Sequence, residues 1–217
     1  MSQCQAADHK EDTWQGRMPL RKWRSESLPK TIDELSIVVE TERLIIRHFQ
    51  TSDLVQLYSI MQKPEVMYAW EHGFSERETQ EWLDRQLHRY HADGYGYFAV
   101  VQRDSGRLIG QAGLVKNEVK GEAAVEIGYI FDDVVWGKGF AFEAASACAG
   151  LAFGRFKLDR LLATIRPENK PSIRLALKLG MHKAGEYVKI YQGKAMPHDI
   201  YERGRVNKAE GGEAHEI

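Results

Sequence analysis

Cysteine is scarce in this chain. Its 217 residues hold two, Cys4 and Cys148. Two thiols so far apart supply neither a disulfide framework nor the Cys/His spacing of a metal site. No metal is therefore expected. Charge of one sign is lacking too: 30 Lys+Arg oppose 31 Asp+Glu, a net charge of -1. That balance argues against bulk electrostatic binding to nucleic acid. No apolar run is long enough to span a bilayer, so no membrane partner is expected. The opening MSQCQAADHKED has no charged-then-apolar secretory form. A cytoplasmic protein with reduced thiols is the expectation. There is no internal repeat, and the P-loop spacing G-x-x-x-x-G-K-[ST] is missing.

What is present suits a globular domain, with 43% apolar and 28% charged residues. Residues 1–36 are polar and interrupted by Pro19 and Pro29, and read as an N-terminal extension. Within it Arg17, Arg21, Lys22 and Arg24 surround Trp23. That cluster is either a basic-aromatic contact for nucleic acid or a partner, or a solvated arm. Residues 37–205 read as the folded domain, and 206–217 as a flexible tail.

Ile37 to Phe49 alternates in polarity and reads as one strand. Thr51 or Ser52 is placed to cap a helix running to about Met61, which Pro64 stops. The loop from Lys63 to Phe74 carries Tyr68 and Trp70. Loop aromatics either line a substrate pocket or tuck into the core, and the pattern leaves both readings open. Ser75 with Glu78 forms a capping box for a helix to Ala92. Three strands follow as a meander, at Tyr95–Gln102, Leu108–Val115 and Ala123–Phe131. Gly110 and Gly113 in the middle one permit close backbone approach. A hairpin, Ala184–Tyr191 with Met196–Arg205, ends the domain.

The chemistry concentrates between Val125 and Gly180. In Trp136-Gly137-Lys138-Gly139-Phe140-Ala141, the glycines allow several N–H groups to face one side of a turn. The alanine-rich helix that follows adds orphan N–H groups and the positive end of its dipole. This arrangement is a phosphate or pyrophosphate site with Lys138 at its rim, or simply a glycine turn that caps a helix. Cys148 falls on the inner face of that helix as a small packed residue. Glu126 is a carboxylate inside the strand VEIGYIF. Ile127 and Tyr129 share one side of it, with Glu126, Gly128 and Ile130 on the other. Glu126 is either a proton acceptor or an ordinary strand glutamate paired to a cation. Asn169 and Ser172 open a later helix and serve either as its caps or as ligand contacts.

Five runs in order carry a family resemblance. They are Thr41-Glu42-Arg43-Leu44-Ile45-Ile46-Arg47, Pro64-Glu65-Val66, Val125-Glu126-Ile127-Gly128-Tyr129, Trp136 to Ala144, and Asn169-Lys170-Pro171-Ser172 with Lys178-Leu179-Gly180-Met181. The chain resembles the GNAT superfamily of acyl-CoA N-acyltransferases, and within it the ribosomal-protein N-terminal acetyltransferase branch. The resemblance implies an α+β fold whose mostly antiparallel mixed sheet splays at the acyl-CoA site, with flanking helices. It implies acetyl-CoA as co-substrate, with Trp136, Gly137, Lys138, Gly139, Phe140 and Ala141 around its pyrophosphate. Backbone groups of Ile130 and Phe131 pair with the pantetheine arm in this reading, and Asn169 and Ser172 line the same channel. Glu126 becomes the general base and Ser172 the group that steadies the leaving thiolate. Tyr68, Trp70 and Tyr129 become acceptor contacts. Two positions depart from the family pattern: Trp136 replaces its usual Gln or Arg, and Ala176 stands where many members carry a general-acid Tyr. The implied reaction is acetyl transfer to a primary amine, leaning to a protein or peptide N-terminus. Acetylation of a small amine and a non-catalytic acyl-CoA-binding module remain the alternatives, and a homodimer is left open.

Overall fold

A computed structural model describes residues 37–205, apart from Gln192. The arm around Trp23 and the tail after Arg205 lie outside the described residues. The elements run β1 (Ile37–Glu40), β2 (Leu44–Arg47), α1 (Leu54–Met61), α2 (Glu76–Ala92), β3 (Tyr97–Gln102), β4 (Leu108–Val119) and β5 (Glu122–Phe131). Then come α3 (Phe140–Gly154), β6 (Arg160–Ile165), α4 (Lys170–Lys178), β7 (His182–Tyr191) and β8 (Lys194–Gly204). The strands form one sheet in the order β1-β2-β3-β4-β5-β6-β8-β7. Every neighbouring pair is antiparallel except β5 with β6.

The single strand expected over Ile37–Phe49 is a hairpin. Thr41 Oγ1 accepts the Leu44 N–H at 3.1 Å, while Thr41 N–H donates to Leu44 C=O at 2.9 Å. The turn keeps the two-residue period on both sides of itself, so alternation alone does not reveal it. Thr51 and Ser52 do not cap α1. Asp53 does the local work instead. Its carboxylate accepts the Gln50 N–H at 2.8 Å and holds Arg47 through two bonds of 2.7 Å. The capping box of Ser75 and Glu78 forms as expected, at the start of α2.

Side chains alternate across the sheet and build a core on each face. Leu44, Ile46, Phe98, Ile127, Phe131, Leu161 and Ile165 pack against α3 and α4. On α3 the buried residues include Ala144, Ala145, Cys148, Ala149 and Ala152, and such small side chains let the helix axis lie close to the strands. On the other face Ala99, Val101, Leu108 and Ile130 pack with Leu57, Met61, Trp82 and Leu83 of α1 and α2.

The ladder is uneven about β5. With β4 it pairs continuously from Val119↔Glu122 to Gly110↔Phe131. With β6 it has one registered pair, Glu126↔Leu162. Beyond Glu126 the two parallel strands diverge, and a gap opens between their C-terminal ends.

Close strand contact keeps the β5 side of the gap in place. A Cβ on Gly113, which pairs with Gly128, would lie 2.0 Å from Gly96 O and 2.6 Å from Tyr97 Cα. Gly113→Ala should destabilise the fold by about 3 kcal/mol, the scale of an overpacked core site. Urea unfolding monitored by circular dichroism measures it.

Candidate active site

The backbone of β5 borders the gap. Asp132 N–H donates to Ile109 C=O at 3.0 Å. By alternation Ile130, opposite Gln111, spends its backbone groups on β4. Tyr129 and Phe131 turn theirs toward the gap. Ile130, expected to offer its backbone to the cofactor, is instead turned to β4, and its side chain is core. Trp136 takes part of this edge. Its half-exposed indole donates to Phe131 C=O at 2.9 Å.

The glycine turn follows. Gly137 and Gly139 have φ of 75° and 82°. A Cβ on Gly137 would meet nothing within 4 Å, so backbone angle rather than crowding calls for glycine there. Gly139 is the N-cap of α3 and offers no side-chain cap. The first-turn N–H groups of Phe140, Ala141 and Phe142 thus have no side-chain cap there, at the positive end of a 15-residue helix. Lys138 is exposed, and its Nζ donates to Val134 C=O at 3.0 Å. The Phe140 side chain is buried, so only its backbone can face a ligand.

Four ion pairs brace this turn. Arg43 lies 4.4 Å over the Phe140 ring, and donates to Lys138 C=O at 3.0 Å and to Glu143 at 2.7 Å. Glu143 also accepts the Thr41 hydroxyl at 2.6 Å and the Arg43 N–H at 3.0 Å. Buried Asp132 binds Lys63 at 2.6 Å and also Arg107; Lys63 reaches Asp133 as well. Thr41, Arg43 and Glu143 lie inside runs that carry the family resemblance, with no role assigned to them there, and Asp132 lies outside those runs. No local signal marks these residues, since Glu143 and Thr41 are 102 positions apart.

Across the gap Asn169 caps α4, its Oδ1 accepting the Ser172 N–H at 3.1 Å. Tyr129 donates to Ser172 C=O at 3.2 Å, and burial pushes its phenol up to about 12. Tyr129 lies on the α3–α4 face, opposite the side on which Glu126 points, so it groups with Asn169 and Ser172 rather than with the loop aromatics. Ala176 is packed in the core. Tyr68 stands beside Asn169 with Arg166 at 6.0 Å from its ring, and its buried hydroxyl has no well-formed hydrogen-bond partner. Trp70 takes the core option, edge-on to Trp82 at 5.7 Å and to Phe74 at 6.0 Å. Its neighbour Glu71 pairs with Lys194 at 2.7 Å and Arg166 at 3.4 Å, tying this loop to the β7–β8 hairpin. Lys194 first, then Arg166, holds the Glu71 carboxyl below its ordinary value.

Glu126 points to the α1–α2 face. Its Oε2 accepts from Asn117 Nδ2 at 2.6 Å, while Oε1 is buried with no partner. Gly128 leaves room for the Tyr97 phenol, whose oxygen would lie 1.9 Å from a Cβ at that position. Burial first, and then the Glu126 charge, raises the Tyr97 pKa. Cys148 is inert by comparison: burial pushes its thiol up to about 12. Among the described residues no cluster of three or more His, Cys, Asp or Glu could hold a metal.

Glu143 is the testable brace. Burial raises its pKa, but the Thr41 hydroxyl, the Arg43 N–H and the Arg43 guanidinium together hold it below 4.5. A depressed carboxyl stabilises the fold above its unfolded pKa, and the contribution is lost as pH falls through the folded value. Glu143→Gln should cost about 2 kcal/mol at pH 7, the scale of hydrogen bonds to a charged group. The gap between variant and wild type should narrow in unfolding curves taken below pH 4.5.

The family model for the acetyltransferase (GNAT) domain matches residues 43–182. The protein YkkB of Bacillus subtilis is 33% identical over 170 residues, covering 77% of this chain and 95% of that one. The [ribosomal protein uS5]-alanine N-acetyltransferase of Escherichia coli is 29% identical, covering 70% and 80%. A crystal structure of a GNAT-family acetyltransferase from Bacillus anthracis superposes with a TM-score of 0.66 at 29% identity, over 77% of this chain and 98% of that one. The chain belongs to the GNAT acetyltransferases and is an acetyl-CoA-dependent N-acetyltransferase.

Proposed function

We propose that the acceptor is a protein or peptide α-amino group, acetylated by direct attack with donor and acceptor bound together. The observation that carries this reading is Glu126 Oε1, a buried carboxylate oxygen without a partner beside the gap. Such an oxygen is costly unless a donor completes it, and an incoming amine is a suitable donor.

On the donor side, the N–H groups of the turn at Gly137–Gly139 and of the first turn of α3 hold the pyrophosphate. Backbone groups of Tyr129 and Phe131 pair with the pantetheine arm, and Asn169 and Ser172 line the channel. Acetyl-CoA supplies an activated thioester there. Backbone donors on the splayed strand polarise its carbonyl. Ser172, with the Tyr129 hydroxyl beside it, steadies the sulfur as it leaves. A thiol with a reference pKa of about 8.5 needs little protonation to leave, which fits an apolar Ala176.

Proton arithmetic favours an α-amine. With a pKa of about 7.7–8.0 it is roughly a tenth neutral at pH 7, against a few parts in ten thousand for lysine at about 10.4. One carboxylate, acting directly or through water, is adequate for the first and weak for the second. The relative from Escherichia coli, which acts on the alanine of uS5, supports the same class.

Glu126→Gln should slow acetyl transfer about 100-fold, the lower range for loss of a general base. Wild-type rates at all pH values would remove Glu126 from this role. Gly137→Val, strained at its positive φ by about 1–3 kcal/mol, should weaken acetyl-CoA binding at least about tenfold by calorimetry. Acceptor class is read from acetyl-CoA consumption with free-N-terminus peptides, N-blocked lysine peptides and small amines. Turnover confined to small amines would overturn the peptide reading.

A further inference from the structure

A second titratable group shares the face on which Glu126 points. Strand register settles this. Glu126 stands opposite Leu162, Thr164 opposite Ile200, and His198 opposite Tyr187. Alternation puts Thr164 on the side of Leu162, and His198 on the side of Ile200. Glu126, Thr164, His198 and Tyr187 therefore face the same way. The apolar cluster there, Val119, Leu162 and Ile200, includes no helix residue. β6 ends at Ile165 opposite Asp199, so His198 stands just past the end of β6, beside the mouth of the gap.

The ring of His198 is fixed. Its Nδ1 lies 3.0 Å from Met196 C=O. A carbonyl only accepts, so Nδ1 carries the hydrogen and Nε2 holds the lone pair of the neutral ring. The Tyr187 ring packs against it at 5.7 Å. The charged and titratable groups around it are Glu126 on β5, Arg166 and Glu168 after β6, and Lys189 and Tyr187 on β7. Burial lowers the imidazole pKa most; Lys189 and Arg166 add to this and together they outweigh the Met196 bond and the Glu126 charge, leaving it below 6.5. His198 is neutral at pH 7 and able to accept a proton.

The energetics give it a task. Moving a proton from an α-amine to an ordinary glutamate is uphill by about 3.5 pKa units; to an ordinary imidazole the gap is about 1.4, and the lowered pKa of His198 widens that smaller gap. A base with a pKa nearer the working pH is the more effective one.

We propose that His198 Nε2 is the final acceptor of the amine's proton, relayed through water from the ammonium held at Glu126 Oε1. The inference rests on the assignment of Glu126 to the acceptor amine. An N–H bond of the ammonium breaks and an Nε2–H bond forms. The neutral nitrogen then forms the C–N bond as the C–S bond breaks, its electron pair leaving on sulfur. The nitrogen's surplus proton goes to the thiolate, and the imidazolium returns its proton to solvent.

His198→Asn tests this, because Asn keeps an N–H donor in the place of Nδ1 and lacks Nε2. The expected result is a kcat about 100-fold lower, with an almost unchanged acceptor KM. The acid limb of kcat/KM, centred below 6.5 in the wild type, should shift in the variant. His198→Ala should regain activity with added imidazole. Wild-type kcat and an unmoved acid limb in His198→Asn would overturn the proposal. If Glu126→Gln is inactive while His198→Asn is normal, Glu126 keeps its role and the relay falls. If His198→Asn is slow while Glu126→Gln is normal, the amine is not held at Glu126 and the relay as drawn is wrong.

Discussion

One rung, Glu126 opposite Leu162, joins β5 to β6, and the site depends on its being followed by none. Parallel strands ordinarily satisfy each other's backbone groups along their length. Here β5 stays fully paired with β4 and abandons β6 after that rung. The groups of Tyr129 and Phe131 are left facing a gap whose two sides belong to differently connected halves of the sheet. A buried polar edge of this kind persists only if something else completes it. Trp136 completes one carbonyl. In the proposed function the pantetheine arm completes the others.

A gap in a sheet also needs its two rims held, and long-range ion pairs do much of this. Arg43 and Thr41, at the β1–β2 turn, grip Glu143 on the first turn of α3 and so fix the glycine turn between β5 and α3. Lys63 and Arg107 grip Asp132, where β5 ends. Glu71 joins the loop after α1 to Lys194 on the far hairpin and to Arg166 at the end of β6. The Asp132 and Glu143 carboxylates are the least exposed members of these ties. Their value lies in geometry as much as in energy, since exposed pairs contribute little stability.

The pleat divides the labour. Successive residues of β5 point to opposite faces, so Tyr129 reaches Ser172 on the α4 side while Glu126 and Gly128 open toward Tyr97 and the uncovered half of the sheet. In the proposed reading one face handles the thioester and the other the amine, with strand backbone between them. His198 and Tyr187 extend the second face along β8 and β7. Because α1 and α2 pack over β3 and β4, that surface is left to the loop carrying Tyr68 and Glu71.

Much of this was legible in order. The alternation in VEIGYIF places Glu126 and Tyr129 on opposite sides, and Ser75 with Glu78 starts α2 where the capping box says it should. The glycines at 137 and 139 announce a turn with positive φ, and the alanine run after them a helix lying close to a sheet. Local chemistry decides such features, because each depends on residues within one turn or one strand. The hairpin at Thr41 escaped because its turn keeps the period of the strands on either side. Trp70, which fits a pocket or a core equally well in sequence, goes to the core because Phe74 and Trp82 are there to receive it. The sequence by itself determined the strands from β3 onward, the positive-φ glycine turn and the side on which each β5 residue points. Only the tertiary structure decided where β5 leaves β6, which carboxylate oxygen stays without a partner, and that Arg43, Asp132 and Glu143 brace the turn. Those outcomes join residues many positions apart, and no local pattern encodes such a pairing.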